Sequence, residues 1–95
     1  MKRLEDKVAI ITGATGGIGE ATVKLFLEEG ANVLMVDLHE EDLIAVSEKI
    51  DSNKLSYLEG DVSNFLDNQK AVDLAVERYG GLDVFIANAG VSGDV

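Results

Sequence analysis

The sequence predicts an α/β fold built on a parallel sheet of about four strands, and three observations carry that prediction. Short apolar runs alternate with longer stretches of helical period. Glycines and acidic residues collect where the apolar runs end. No proline, serine-rich linker or internal repeat breaks the rhythm, which is that of successive βα units joined by right-handed crossovers.

Each element follows from its own residues. Val8 to Thr12 is a short apolar run ending in glycine and is expected as β1, buried on both faces as parallel strands are. From Gly17 onward Ile18, Ala21, Thr22, Leu25 and Phe26 recur at spacings of three and four, predicting a first helix with these residues on its inner side and Gly30 at its end. Asn32 to Asp37 is β2, with an acid at its carboxyl end. Glu40 to Ile50 is the second helix, its acidic first turn favourable against the helix dipole and Leu43, Val46 and Ile50 its apolar stripe. Lys54 to Glu59 is a weaker β3, supported by Leu55, Tyr57 and Leu58 and closed by Gly60 and Asp61. Ser63 or Asn64 can cap a third helix with Val72, Ala75, Val76 and Tyr79 on one face, terminated by Gly80 and Gly81. Leu82 to Ala87 is β4, followed by Asn88, Ala89 and Gly90.

Composition narrows the function. The 95 residues suffice for one layered core, and 46 % apolar with 27 % charged residues is an ordinary globular balance that argues against disorder. A formal net charge of −10 argues against nucleic acid and anionic membranes as partners, since both would be repelled. Lys2, Arg3 and Lys7 could open a signal peptide, but the apolar stretch after them is broken by Thr12 and Gly13, so neither an export signal nor a membrane span is expected. The chain has no cysteine, which excludes disulfides and thiolate metal sites within it and fits a reducing compartment; the expectation is cytoplasmic.

Four features fall at carboxyl ends of strands, where open α/β sheets bind ligands. In Thr12-Gly13-Ala14-Thr15-Gly16-Gly17-Ile18-Gly19, Gly13 allows a tight turn, Gly17 lets the backbone approach a pyrophosphate and Gly19 lets the helix pack near the sheet. The helix amino terminus that follows offers N–H groups and partial positive charge to an anion. The spacing is not G-x-G-x-x-G, and no Gly-Lys-Ser/Thr ends the loop, which rejects a P-loop. Asp37, 18 residues beyond Gly19, can accept both hydroxyls of an adenosine ribose and would repel a 2′-phosphate; no basic residue stands at the adjacent Leu38. NAD is therefore expected over NADP. The Asp61 carboxylate could receive an adenine amino group with Val62 against the ring, although a turn residue is an equal account of Asp61. Asn88-Ala89-Gly90 permits close ligand approach, and the Asn88 amide can tie neighbouring strand ends together; a plain turn is the alternative.

The glycine loop, Asp37, Asp61-Val62 and Ile86-Ala87-Asn88-Ala89-Gly90 together resemble the short-chain dehydrogenase/reductase family, whose TGxxxGIG and NNAG motifs they match in register over nearly the whole chain. Ala87 departs from the family's first asparagine. Gly16 beside Gly17 also satisfies the TGxxGxxG pattern of extended members, while Ile18 and the Asn-Ala-Gly run favour ordinary single-domain ones. The resemblance implies a three-layer Rossmann βαβαβαβ arrangement with strand order 3-2-1-4, residues 1–95 forming the N-terminal half of the dinucleotide-binding domain. It implies Gly13, Thr15, Gly17, Ile18 and Gly19 on the pyrophosphate side of NAD. It likewise implies Asp37 at the adenosine ribose, Leu38 among the cofactor-binding residues, Asp61 and Val62 at adenine, and Asn88, Ala89 and Gly90 lining the ribose and central sheet. A small-molecule substrate and a homo-oligomer are implied for the full-length enzyme.

The family's catalytic serine and Tyr-x-x-x-Lys pair have no counterpart here. Asp61 stands four residues after Tyr57 and Asp83 four after Tyr79, and Ser92 comes too early. His39, the single histidine, is expected at the surface. The expectation is thus an inactive cofactor-binding fragment of an NAD-dependent oxidoreductase acting on alcohols or carbonyls, with β4 left as an exposed apolar edge. Two alternatives stay open: a non-catalytic NAD-binding or interaction module pairing through β4, and a family member with epimerase or lyase chemistry.

Overall fold

Every residue of Val8–Thr12 is buried, and in the computed structural model, which describes residues 3–88, this run is β1 in the interior of the sheet. The elements follow as α1 (Gly17–Glu28), β2 (Asn32–Asp37), α2 (Glu40–Ile50), β3 (Leu55–Glu59), α3 (Phe65–Tyr79) and β4 (Val84–Ala87). The strands are parallel in the order β3-β2-β1-β4, with Ile10 opposite Leu34 on one side and Phe85 on the other.

Strand alternation sorts the core into two layers. Ala9, Ile11, Val33 and Met35 face Val23 of α1 with Leu43 and Val46 of α2. Val8, Ile10, Leu34 and Val36 face Ala71 and Ala75 of α3. The result is three layers: α1 and α2, the sheet, and α3. Fully burying a side chain such as Ile10 or Leu34 stabilises by roughly 1.5–3 kcal/mol, so the central pair of strands carries much of the driving force.

The expected inner faces of two helices need correction. In α1 the buried residues are Gly19 and Val23, with Phe26 and Leu27 packed beside them, while Ile18 is 78 % and Leu25 54 % exposed. The cause is Gly19: the helix can come close only with its smallest residue toward the sheet, which turns Ile18 and Leu25 outward. In α3 the alanines Ala71 and Ala75 meet the sheet, and Val76 is turned to solvent. The expected stripe of α2 matches, with Leu43 and Val46 buried and Ile50 packed against the same core. Asn64 caps α3, its Oδ1 accepting from the N–H groups of Leu66 at 2.8 Å and Asp67 at 3.2 Å. β3 and β4 start slightly later than expected, at Leu55 and Val84. Among the described residues β4 pairs on one side only, leaving Phe85 exposed at the sheet edge.

Candidate functional site

At the carboxyl ends of β1, β2 and β3 the chain opens a cleft of about 580 Å³ lined by Gly13, Val36, Asp37, Leu38, Gly60, Asp61, Val62 and Ser63. That volume is within the usual range for small-molecule sites, about 300–1,000 Å³. The lining residues carry two carboxylates and no basic side chain.

The β1–α1 loop forms one wall. Gly13 adopts φ 62, a left-handed turn that sends the chain out of β1, and its N–H donates to the Val36 carbonyl of β2 at 3.0 Å. A Cβ on Gly19 would stand 2.8 Å from Ala14 Cα and nearer still to the Gly13 carbonyl oxygen, so the close approach of α1 depends on glycine there. Gly17 differs: a Cβ there would meet nothing within 4 Å. Gly17 and Ile18 lie exposed in the first turn of α1, whose N-cap position is Gly16 and which no side chain caps. These N–H groups suit a phosphate's acceptor oxygens.

Asp37 ends β2 and is half-buried. Its Oδ2 accepts from the Thr15 hydroxyl at 2.6 Å and the Thr15 N–H at 3.0 Å, and its Oδ1 accepts from the Leu38 N–H at 2.8 Å. Burial pushes this carboxyl up, but the two Thr15 bonds, the Leu38 N–H and the nearby His39 outweigh it and hold the group below the usual aspartate value. Leu38 is 54 % exposed at the cleft rim, opposite in character to the acid beside it. His39 is exposed, as expected, and occupies the N-cap position of α2 without a side-chain capping bond. The Glu59 carboxylate instead accepts the Glu40 N–H at 3.0 Å.

Asp61 and Val62 form the far wall. Asp61 Oδ1 accepts from both the hydroxyl and the N–H of Ser63, at 2.7 and 2.9 Å, and these bonds lower its pKa. The turn role foreseen for Asp61 is therefore present, and the residue lines the cleft as well. Asn88 follows β4; its N–H donates to the Thr12 carbonyl at 3.3 Å, while its side-chain Nδ2 is buried without a partner. Ala89 and Gly90 lie outside the described residues. Five of the expected residues, Gly13, Asp37, Leu38, Asp61 and Val62, thus line one cleft, and Thr15 is tied to it through Asp37. Val36, Gly60 and Ser63 were not foreseen as lining residues. The signal was their adjacency to the ends of β2 and β3, where the same switch from strand to loop exposes neighbours of the acids.

The tyrosines lie away from the cleft lining. Tyr57 packs against the core under α1 and α2, and the Tyr79 hydroxyl is 2.6 Å from Ser56 Oγ on β3. Among the described residues no group of acids and histidine is arranged to hold a metal ion, and no helix is long and apolar enough to cross a membrane.

A parallel sheet in this order, with a glycine turn after β1 and an acid closing β2, defines the Rossmann class of α/β proteins. Within that class, residues 7–95 match the short chain dehydrogenase family model, and the chain belongs to the short-chain dehydrogenase/reductase family. It is 47 % identical over 93 residues to a short chain aldehyde dehydrogenase 1 of Euphorbia lathyris, covering 97 % of this chain and 32 % of that protein. It is 45 % identical over 91 residues to secoisolariciresinol dehydrogenase of Forsythia intermedia, covering 96 % and 33 %. Among solved structures, a short-chain dehydrogenase/reductase of the glucose/ribitol dehydrogenase type from Brucella melitensis superposes with a TM-score of 0.84 at 39 % identity, over 90 % of this chain and 37 % of that one. A 3-ketoacyl-(acyl-carrier-protein) reductase from the same organism, solved with NADH, gives 0.80 at 35 % identity over 86 % and 33 %. The chain spans about a third of the length of the relatives it matches.

Proposed function

We propose that this chain is the N-terminal, NAD-binding half of a dinucleotide-binding domain, in an oxidoreductase that interconverts alcohols and carbonyl compounds. The observation that carries the proposal is Asp37: an ionised carboxylate held at the end of β2, in the wall of a cleft whose lining contains no basic side chain. A carboxylate is an acceptor for a ribose hydroxyl and the charge that a 2′-phosphate avoids.

Other described residues offer groups suited to a dinucleotide. The first turn of α1, uncapped and bare of Cβ at Gly17, suits a pyrophosphate. Leu38 and Val62 give the cleft apolar walls suited to an adenine ring, and Asp61 keeps its Oδ2 available toward an amino donor. Bound NAD would supply the two-electron acceptor or donor of the reaction. The residues of this chain bind and orient its adenosine and pyrophosphate portions. The chain contains no Tyr-x-x-x-Lys pair, so by itself it is proposed to bind nucleotide weakly and to turn over no substrate.

The small-molecule substrate, a homo-oligomeric state and a cytoplasmic setting belong to the same proposal for the longer protein. The absence of cysteine from this chain supports the last of these. Calorimetric titration of the chain with NAD and with NADP tests the reading: NAD binding more tightly supports it, and equal affinities overturn it.

A further inference from the structure

We propose that Thr15 is a specificity-determining positioning residue, which acts on the nucleotide through Asp37 and not through the pyrophosphate. This inference rests on the reading of the cleft as an NAD site and departs from the pyrophosphate role that the family resemblance implies for Thr15.

The geometry is an accounting of donors and acceptors. A threonine hydroxyl has a single proton to give. In this structure that proton is directed at Asp37 Oδ2 over 2.6 Å, a short charge-assisted bond, and the Thr15 N–H reaches the same oxygen at 3.0 Å. An ionised phosphate only accepts, so the hydroxyl cannot serve a pyrophosphate without abandoning Asp37. The carboxylate is meanwhile gripped from both sides. Thr15 holds Oδ2 from the glycine loop, and the Leu38 N–H holds Oδ1 from β2's own continuation. A carboxylate has about four acceptor positions, and three are filled, so the free capacity is confined to Oδ1. Thr15 thereby fixes which oxygen Asp37 offers to a ribose hydroxyl and holds the negative charge of the carboxylate in one orientation at the cleft wall.

Two roles for Thr15 make opposite predictions. A pyrophosphate contact is shared by NAD and NADP, so its loss would weaken both alike. A contact that orients Asp37 is felt at the ribose alone, so its loss would change the ratio. The experiment is calorimetric titration of the 95-residue chain and its Thr15→Val, Thr15→Ala and Thr15→Ser variants with NAD and with NADP. It is paired with an NMR titration of the Asp37 carboxyl carbon in the nucleotide-free proteins. Thr15→Val and Thr15→Ala are expected to reduce the NAD-to-NADP affinity ratio by about five- to tenfold, less than the full worth of the hydrogen bond because Asp37 keeps the Thr15 and Leu38 N–H groups. The same variants are expected to raise the Asp37 titration midpoint, and Thr15→Ser to restore both properties. An unchanged ratio with both nucleotides weakened equally overturns the proposal and leaves the NAD reading intact. Failure of the unsubstituted chain to prefer NAD overturns that reading and the specificity role together, while the nucleotide-free titration still reports whether Thr15 governs Asp37. A midpoint that stays in place in Thr15→Val contradicts the coupling outright.

Discussion

Gly19 lies so close to Gly13 that its missing side chain is part of the fold: a Cβ at position 19 would collide with the Gly13 carbonyl oxygen and stand 2.8 Å from Ala14 Cα. Both neighbours are backbone and cannot swing aside. Gly19→Ala is therefore expected to push α1 away from β1 and to destabilise the chain by about 1–3 kcal/mol, the usual cost of overpacking. A urea unfolding midpoint that is unchanged in Gly19→Ala would contradict the close packing. Gly17→Ala, whose Cβ meets open space, serves as the control for helix propensity at the same end of α1.

The Asn64 side chain accepts two N–H groups at the start of α3. Asn64→Ala removes both bonds while leaving the buried Ala71 and Ala75 in place. The expected cost is about 1 kcal/mol, typical of a lost N-cap, read as a lower urea midpoint with an unchanged slope. No loss of stability would show that solvent replaces the cap without penalty.

Asp37 gives the fold a pH dependence of defined sign. Its carboxyl titrates below the ordinary aspartate value in the folded chain, so the folded state favours the ionised form more than the unfolded state does. That contribution is complete above the unfolded value of about 4 and is lost as the pH falls through the lower folded value. Stability is expected to decline on acidification below about pH 4, and less steeply in Asp37→Asn, as followed by chemical unfolding at successive pH values. Identical acid profiles for the two proteins would show that the Thr15 and Leu38 bonds do not favour the charged carboxylate.

The chain contains no tyrosine followed at the fourth position by lysine, and the hydroxyl of Tyr79 is engaged with Ser56. Incubated with NAD and a panel of simple secondary alcohols, it is expected to produce no reduced nicotinamide above the uncatalysed background, followed by absorbance. Steady turnover that tracks the purified chain would contradict the proposal that the catalytic groups lie elsewhere in the longer protein.

Much of this architecture was legible in the residues. β1, β2 and α2 carry the boundaries that their apolar runs and acidic first turn predict; the parallel pairing follows from the alternation of strand and helix, and the order 3-2-1-4 from the family resemblance. The rotation of α1 and α3 was not. Each helix has large apolar residues on more than one side, and a pattern weighted by size selects Ile18 and Leu25 or Val76, which lie in solvent. Small residues decide instead: Gly19 in α1, and Ala71 with Ala75 in α3, permit the nearest approach to the sheet and so set which face turns inward. In the site, the positions of Gly13, Asp37, Asp61 and Val62 follow from their places at strand ends. The Thr15–Asp37 pair does not, because the two residues come together only when β1 and β2 are in register and the loop folds over the end of β2.

The central claim is that Asp37 makes this cleft an NAD site, and parallel calorimetric titrations of the unsubstituted chain and Asp37→Ala with NAD and NADP test it most directly. The expected result is a preference for NAD of about tenfold or more, roughly 1.4 kcal/mol, that collapses toward equality in Asp37→Ala. Equal affinity of the unsubstituted chain for the two nucleotides, or a preference that survives in Asp37→Ala, would contradict it.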